Sequence, residues 1–283
     1  MIERPIRIAV TGAGGQLGQQ LIRLQEEGVE WIGWTRRDLD IADAERCRRK
    51  LAEVRPDAVI HAAAYTAVDQ AESDPEAARL VNAIGTRHMA EAAEAAGAKF
   101  CYVSTDYVFD GRATSPYTEE APPNPQTVYG RTKREGEQYA LEKCSRSFVV
   151  RTSWVYGRYG PNFVATMLRL GRTQTELKVV DDQVGSPTYT FDLARFLVAL
   201  VRTKHYGLYH ASNSGSCSWY EFAKAIFELA GIPAQVLPCT TAEFPRPAPR
   251  PAYSVLGHQR LLQAGFPPMR HWRAALADFL QET

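Results

Sequence analysis

Short apolar segments alternate with helical patterns through the first half of the chain, and this alternation constrains the fold more than any other feature. The apolar segments read as strands because they are short and rich in β-branched residues; they cover residues 6–11, 29–34, 58–64, 100–104 and 148–152. Apolar residues at helical spacing lie between or beside them, over residues 16–27, 43–54, 75–96 and 128–143. Strands joined by helices form right-handed parallel crossovers. The sequence therefore predicts an α/β fold with a Rossmann-like, doubly wound parallel sheet.

After Gly157 the alternation weakens. We expect helices over 162–171, 191–201 and 218–230, a short strand over 177–180, and an extended arm or lid over 244–256, where alternating prolines exclude ordinary helix. Ser218 and Glu221 have the spacing of a capping box. The predicted domains are a dinucleotide-binding domain of residues 1–157, with 186–203 packing back on it, and a smaller, partly discontinuous substrate domain of residues 158–185 and 204–283.

Charge and composition exclude several classes of partner. The 283-residue chain has 33 Lys and Arg against 32 Asp and Glu, a formal charge of +1, and no long block of one sign. This balance argues against nucleic acid or a membrane surface as the main partner. The first apolar run is too short for a signal peptide or a membrane span, and five scattered cysteines without a CxxC pair suit reduced thiols. We expect a cytoplasmic protein.

A glycine-rich turn joins the first strand to the first helix, in the run Gly12-Ala13-Gly14-Gly15-Gln16-Leu17-Gly18. Glycines there allow a tight turn, and the helix N-terminus favours a phosphate. A tight turn with no ligand is the alternative for a glycine triplet taken alone. In its strand–turn–helix setting the motif predicts a dinucleotide site, with Gly12, Gly15, Gln16 and Leu17 as cofactor contacts.

The end of the second strand decides which dinucleotide is preferred. Arg36 and Arg37 stand where an acidic residue favours NAD and a guanidinium favours the 2′-phosphate of NADP. We therefore expect NADPH, with NADH as the other candidate; two solvated loop arginines are the structural alternative. Asp40 and Ile41 follow, as contacts for the adenine or ribose or as part of the cap of the next helix.

Tyr129 and Lys133 are four residues apart and share a face of the predicted helix 128–143. A phenol has a pKa of about 10, and a nearby ammonium favours its ionised form. Such a pair can give a proton to an alkoxide or take one from an alcohol. An exposed aromatic–lysine pair is the alternative, but the preceding strand ends in Ser104-Thr105-Asp106, which favours catalysis.

Several motifs, in order along the chain, resemble those of the extended short-chain dehydrogenase/reductases, and within them the dTDP-4-dehydrorhamnose reductase family. They are TGAGGQLG (11–18), AAAYTAVDQAE (62–72), STDYVFDG (104–111), VYGRTK (128–133), RTSWVYG (151–157) and DDQVGSPT (181–188). The resemblance implies NAD(P)H-dependent reduction of the 4-keto group of a dTDP-linked 4-keto-6-deoxysugar, which gives dTDP-L-rhamnose.

The resemblance also implies roles for individual residues. Thr105 would hydrogen-bond the substrate carbonyl, Tyr129 would protonate its oxygen, and Lys133 would hold the nicotinamide ribose. Further cofactor contacts would be Ala64, Tyr65, Thr66 and Ser104. The implied substrate contacts are Thr105, Asp106, Trp154, Asn162, Gln183 and Ser186. Core filling is the alternative for Trp154, and loop capping is the alternative for Asn162, Gln183 and Ser186.

Departures from related enzymes bear on the alternatives. Some members of the family bind Mg²⁺ between two subunits through a glutamate where this chain has Gln20, so we expect no metal site and either a monomer or a homodimer. His61 reads as a hydrogen-bonded strand-end residue. Related 4,6-dehydratases place a glutamate where this chain has Tyr107, which favours simple reduction. Two alternatives stay open: a reductase giving the 6-deoxy-L-talose product, and a non-catalytic subunit like the regulatory subunit of methionine adenosyltransferase.

Overall fold

The computed structural model describes residues 4–282. Its centre is a parallel sheet of six strands in the order β10-β5-β4-β3-β1-β2. The strands are β1 (Ile6–Thr11), β2 (Val29–Trp34), β3 (Ala58–His61), β4 (Lys99–Thr105), β5 (Ser147–Thr152) and β10 (Gly207–His210). The order reverses direction between β1 and β3. The predicted doubly wound sheet is confirmed.

Helices cover both faces of this sheet: α1 (Gln16–Arg23), α2 (Ala44–Val54), α3 (Val68–Ser73), α4 (Pro75–Arg79), α5 (Gly85–Ala96), α6 (Val128–Lys143) and α8 (Thr190–Arg202). One buried cluster joins strand residues such as Ile8 and Val10 to Leu193 and Leu197 of α8. On the opposite face, Ala9 and Val59 pack with residues of α2 and α5. Both faces of the strands are therefore buried, as their nearly continuous apolar sequences require.

Two predicted elements are shorter in the structure. The first helix ends at Arg23 rather than residue 27, because Leu24 has extended backbone angles. The third strand ends at His61 rather than residue 64. His61 pairs with Thr11, the last residue of β1, so the alanines that follow have no strand partner there. They form the loop that carries Tyr65.

The long helix predicted over 75–96 is continuous but contains one π-helical turn, Leu80–Ile84, between α4 and α5. Wide turns of this kind are frequent at functional sites. Here the turn carries the buried Asn82, whose side chain reaches the loop after β3. The turn therefore sets the position of a loop at the predicted cofactor site.

A third buried cluster lies in the second half of the chain and includes Val164, Leu177, Phe222 and Leu276. Its elements are α7 (Phe163–Gly171), β7 (Glu176–Val180), α9 (Trp219–Ala230), β12 (Gln235–Cys239) and α11 (Trp272–Gln281). Short strands β6 (Val155–Tyr156), β8 (Val184–Gly185), β9 (Thr188–Tyr189) and β11 (Cys217–Ser218) and the helix α10 (Gln259–Gln263) complete this half. The proposed domain boundaries stay a prediction, since the clusters mark cores rather than a cut in the chain.

The proline-rich segment 244–256 contains no helix. Ala252 and Ser254 exchange backbone hydrogen bonds with Val184, and Tyr253 N–H donates to Gly111 O at 3.1 Å. The capping box at Ser218 and Glu221 is present as predicted. Within residues 4–282, no helix has both the length and the apolar character to cross a membrane.

Candidate active site

The strands β1 and β3 lie side by side, yet their following helices cover opposite faces of the sheet. A crevice opens at such a point outside the carboxyl ends of the strands. The turn Thr11–Gln16 lies on one side of it. The segment Ser104–Val108, which contains the end of β4 and the turn after it, lies on the other side of β3. The topology therefore brings the two most informative sequence motifs to one edge.

The glycine turn packs closely against the backbone of the loop that follows β3. Gly12 has φ +68°, and a Cβ there would lie 2.7 Å from the Ala63 backbone. Gly15 is the N-cap of α1, and its N–H donates to Gly12 O at 2.8 Å. Leu17 is buried in the core beneath α1, so only its backbone can face the turn. The turn thus places the N-terminus of α1 beside the loop that follows β3.

Arg36 and Arg37 are exposed in the loop after β2, and within the described part of the chain neither forms an ion pair. Asp38 is used locally, accepting hydrogen bonds from Thr35 N–H at 2.8 Å and Thr35 Oγ1 at 2.6 Å. The cap of α2 is Asp43, while Ile41 is buried. The two guanidinium groups therefore remain free to meet an anionic group.

We expect the double substitution Arg36→Ala/Arg37→Ala to raise KM for NADPH by roughly tenfold or more, since a lost charge-assisted contact costs about 1.5–3 kcal/mol. KM for NADH should change much less. Steady-state kinetics with both cofactors tests this, with Arg48→Ala/Arg49→Ala on the exposed side of α2 as the matched control. Equal effects on both cofactors would contradict a 2′-phosphate role.

The loop after β3 is held by Asn82 from the π-helical turn. Asn82 Oδ1 accepts from Tyr65 N–H at 2.8 Å, and its Nδ2 donates to Tyr65 O at 3.2 Å and Thr132 Oγ1 at 3.1 Å. One side chain thus joins the predicted cofactor loop to α6, the helix of Tyr129 and Lys133. Sequence reasoning missed Asn82, because an asparagine inside a helical pattern carries no signal for a wide turn.

Thr105, Asp106 and Tyr129 form the polar centre of the site. Thr105 Oγ1 donates to Asp106 Oδ1 at 3.0 Å and accepts from Tyr107 N–H at 3.2 Å. Thr105 is also a hydrogen-bonding neighbour of the Tyr129 phenol, whose pKa burial raises to about 12. Gly130 lets α6 pack closely against the segment after β4, since a Cβ at this position would overlap Tyr107 O. Tyr129 is consequently a neutral proton donor at neutral pH.

Lys133 lies one turn further along α6 and is 2% exposed. Its ammonium donates to Val103 O at 2.7 Å and lies 4.1 Å from the centre of the Tyr102 ring. Burial lowers the pKa of Lys133 to about 7, while the negative charge of Glu137 opposes that shift.

The neighbouring His61 is neutral, because burial and Lys133 lower its pKa to about 3. Its ring nitrogens meet Thr11 Oγ1 and Thr86 Oγ1, which confirms the hydrogen-bonded strand-end interpretation.

Glu137 is the centre of a buried ionic network beneath these residues. Its carboxylate accepts from Ser104 Oγ at 2.7 Å and from Nε and Nη2 of Arg151 at 2.7 and 2.8 Å. Arg134 adds a third cationic donor at 2.8 Å. The network lies under the ends of β4 and β5. Ser104, a predicted cofactor contact, donates its hydroxyl proton to the Glu137 carboxylate.

The network continues from Arg151 to His210 on β10. Arg151 Nη1 lies 3.4 Å from His210 Nε2, and burial lowers the pKa of His210 to about 3, so the ring is neutral. Since Nε2 faces a donor, the ring proton is on Nδ1, which lies 3.1 Å from Tyr117 O and 3.0 Å from Gly257 O. The sheet end is therefore connected to both loops that cover it.

Trp154 is held in an unusual conformation at the end of β5. It has φ +47°, a costly angle for a bulky residue, and its ring stacks on Trp219 with centroids 3.5 Å apart and planes 6° from parallel. Gly185 lies against its other side. Trp154 stays partly exposed. Strained residues of this kind cluster at ligand sites.

Comparison with known proteins agrees with this geometry. The family model described as RmlD substrate binding domain matches residues 6–283. The chain belongs to this family. It is 48% identical over 277 residues to the spore coat polysaccharide biosynthesis protein SpsK of Bacillus subtilis, covering 98% of this chain and 97% of that protein. The dTDP-4-dehydrorhamnose reductase of Streptomyces griseus is 48% identical over 280 residues, covering 96% and 92% of the two chains.

A solved structure extends the RmlD family assignment to three dimensions. The dTDP-4-dehydrorhamnose reductase of Bacillus anthracis, in complex with NADP, matches with a TM-score of 0.97 and 46% identity, over 99% of this chain and 100% of that one. The resemblance predicted from the motifs is confirmed.

The residues present fit the dinucleotide of the RmlD family. Gly12 lets the turn before α1 pack against the loop after β3, and two exposed arginines lie at the end of β2. Two buried polar atoms, Gln16 Oε1 and Tyr65 Oη, have no hydrogen-bond partner among residues 4–282. Such atoms call for a polar ligand. Ala64 and Thr66 flank Tyr65 in the same loop.

Three further residues that are predicted to contact substrate form hydrogen bonds within the protein. Asn162 caps α7, accepting from Ala165 N–H at 2.9 Å and donating to Gly157 O at 2.8 Å. Gln183 Nε2 donates to Thr241 Oγ1 at 2.9 Å, and Ser186 Oγ donates to Gly215 O at 2.7 Å. Their contact with substrate stays a prediction. Each bond supports the loop-capping alternative.

Proposed function

We propose that the chain is an NADPH-dependent reductase of the 4-keto group of dTDP-4-dehydrorhamnose, with dTDP-L-rhamnose as its product. One observation supports this most: a neutral, partly buried Tyr129 lies beside Thr105 at the edge of the sheet that also holds the glycine turn. A proton donor and a nucleotide site within one crevice suit the reduction of a carbonyl. The names of the two reductase relatives agree with it.

NADPH, when bound, supplies the hydride. The glycine turn and α1 would hold its phosphates, with Arg36 and Arg37 at the 2′-phosphate. Lys133 would hold the ribose. Tyr129 transfers its phenolic proton to the oxygen of the former carbonyl, which balances the charge as that oxygen becomes a hydroxyl. Thr105 orients the same oxygen.

The remaining proposed roles concern residues that would contact the sugar substrate. We infer that Asp106 and Trp154 contact the sugar, since Asp106 is buried beside Thr105 and Trp154 is a partly exposed residue with a strained backbone just after β5. Tyr107 occupies the place of the dehydratase glutamate and packs edge-on against Tyr129, with ring centres 5.5 Å apart. It supplies no acid for water loss, so reduction is the supported reaction.

We further infer a cytoplasmic monomer or homodimer that acts on a small nucleotide-linked sugar. The near-zero formal charge of +1 supports the absence of a nucleic acid or membrane partner. Light scattering on the purified protein distinguishes the two oligomeric states.

The test of the function is product identification. The purified protein is incubated with dTDP-4-keto-6-deoxy-L-lyxo-hexose and NADPH, and the sugar is analysed by NMR. We expect dTDP-L-rhamnose. The 6-deoxy-L-talose sugar would show the opposite facial selectivity, and no turnover would contradict reductase activity altogether.

A further inference from the structure

The hydroxyl of Thr105 has its only proton committed to a hydrogen bond within the protein. It donates its only proton to Asp106 Oδ1, accepts from Tyr107 N–H, and neighbours the Tyr129 phenol. A hydroxyl has one proton and two lone pairs. As long as Asp106 accepts that proton, Thr105 cannot donate to a substrate oxygen or to an ionised Tyr129. The state of Asp106 therefore decides what Thr105 can do.

Asp106 is placed to change state. It is 3% exposed, and its second oxygen, Oδ2, has no hydrogen-bond partner within residues 4–282. Burial raises its pKa to about 6, whereas the hydroxyls of Ser254 and Thr105 and the N–H groups of residues 106 and 107 act in the opposite direction. Two tyrosines complete the surroundings, because the charge of Asp106 raises the pKa of both Tyr107 and Tyr129.

We propose that Asp106 is the proton reservoir of the site and resupplies Tyr129 through the hydroxyl of Thr105. This inference rests on the proposed function. In its protonated form Asp106 donates to Thr105, which reverses the bond seen in the structure. The Thr105 proton is then free to point toward the substrate oxygen or Tyr129. Asp106 acts through Thr105 and is a positioning residue for that proton.

The proton balance is complete within the chain and solvent. Reduction transfers the Tyr129 proton to the new hydroxyl and leaves a phenolate. The phenolate takes the Thr105 proton, and the Thr105 oxygen takes the Asp106 proton as its own O–H bond breaks. Asp106 is left as a carboxylate and regains a proton from water. No electrons move in these steps.

The test is the pH dependence of kcat/KM for the ketosugar. Only protonated Asp106 can supply a proton, so kcat/KM falls as pH rises through its pKa, near 6. A second fall in kcat/KM comes from deprotonation of Lys133, whose pKa is near 7. Between pH 5 and pH 6.5, wild-type kcat/KM should fall about fivefold. In Asp106→Asn the fall over this range should be less than about 1.5-fold, because only Lys133 titrates. An unchanged fall in Asp106→Asn overturns the proposal.

The matched control is Asp110→Asn, four residues further along the same segment. Asp110 Oδ1 accepts from Tyr117 Oη at 2.8 Å and has no contact with Thr105 in the described structure. This variant should retain the fivefold fall. If Asp106→Asn does not fold, Thr105→Ser and Thr105→Val replace it: the serine should keep the fall and the valine should remove it. A valine enzyme that keeps it also overturns the proposal.

A titration without substrate supplies an independent measurement. In protein labelled with ¹³C at aspartate carboxyl carbons, the signal lost in Asp106→Asn or Asp106→Ala should titrate near pH 6. Titration near the ordinary aspartate value of about 4 overturns the proposal that Asp106 stores the proton. Absence of ketosugar reduction by wild-type protein contradicts the proposed function. Reduction together with an unchanged pH profile in Asp106→Asn contradicts only the role of Asp106.

Discussion

Tyr129→Phe should lower kcat for ketosugar reduction by about 10²–10⁴-fold while leaving NADPH binding intact. The substitution removes one oxygen from a largely buried ring, so the packing of α6 against the loop is retained. What is lost is the neutral phenol, which burial keeps protonated by raising its pKa to about 12. Stopped-flow reduction kinetics and fluorescence titration with NADPH measure the two quantities separately.

Tyr107→Phe is the matched control for this substitution. Tyr107 carries the same phenol, packs edge-on against Tyr129, and is kept neutral by burial, which raises its pKa. We assign it no proton-transfer step, so its variant should stay within severalfold of wild type. Equal losses in the two variants would mean that the ring pair, rather than the Tyr129 proton, limits the reaction.

Glu137→Gln should destabilise the protein by about 3–5 kcal/mol, because it leaves Arg151 charged and poorly paired in the interior. The Glu137 side chain is 0% exposed and that of Arg151 is 1% exposed. The substitution also weakens the hydrogen bond from Ser104 and the connection through His210 to the covering loops. Urea unfolding followed by circular dichroism measures the change in the free energy of unfolding. Lys133 should also lose the negative charge that opposes the effect of burial on its pKa.

Glu135→Gln provides a matched control on the same helix. Glu135 pairs with Arg79 at 2.6 Å, but the side chains are 27% and 53% exposed. Exposed pairs contribute about 0–1 kcal/mol. A stability loss at Glu137 no larger than the loss at Glu135 would contradict a structural role for the buried network.

The strand–turn–helix order could be predicted because it depends on local patterns. Ile6–Thr11 is a nearly continuous apolar run, and the glycines follow it directly. Tyr129 and Lys133 were found because a spacing of four places two residues on one helix face. The motifs at both places are contiguous in sequence. Their meeting at one sheet edge follows from parallel topology.

Other features depend on contacts between distant segments. The sixth strand, Gly207–His210, has only four residues and pairs with β5 from nearly sixty residues earlier. Glu137 sits among charged residues of α6 and reads as part of a solvated face, yet Arg151 and Ser104 bury it. Trp219 begins a helix far along the chain, and nothing local indicates that it stacks on Trp154.

The most direct test of the account is the fate of the hydride. Protein, dTDP-4-keto-6-deoxy-L-lyxo-hexose and NADPH deuterated at both nicotinamide C4 positions are combined in ordinary water, and the product is analysed by NMR and mass spectrometry. We predict one deuterium, at carbon 4 of the sugar, and none there when unlabelled NADPH is used in heavy water. Consumption of labelled NADPH without deuterium at carbon 4 would contradict direct reduction at this site.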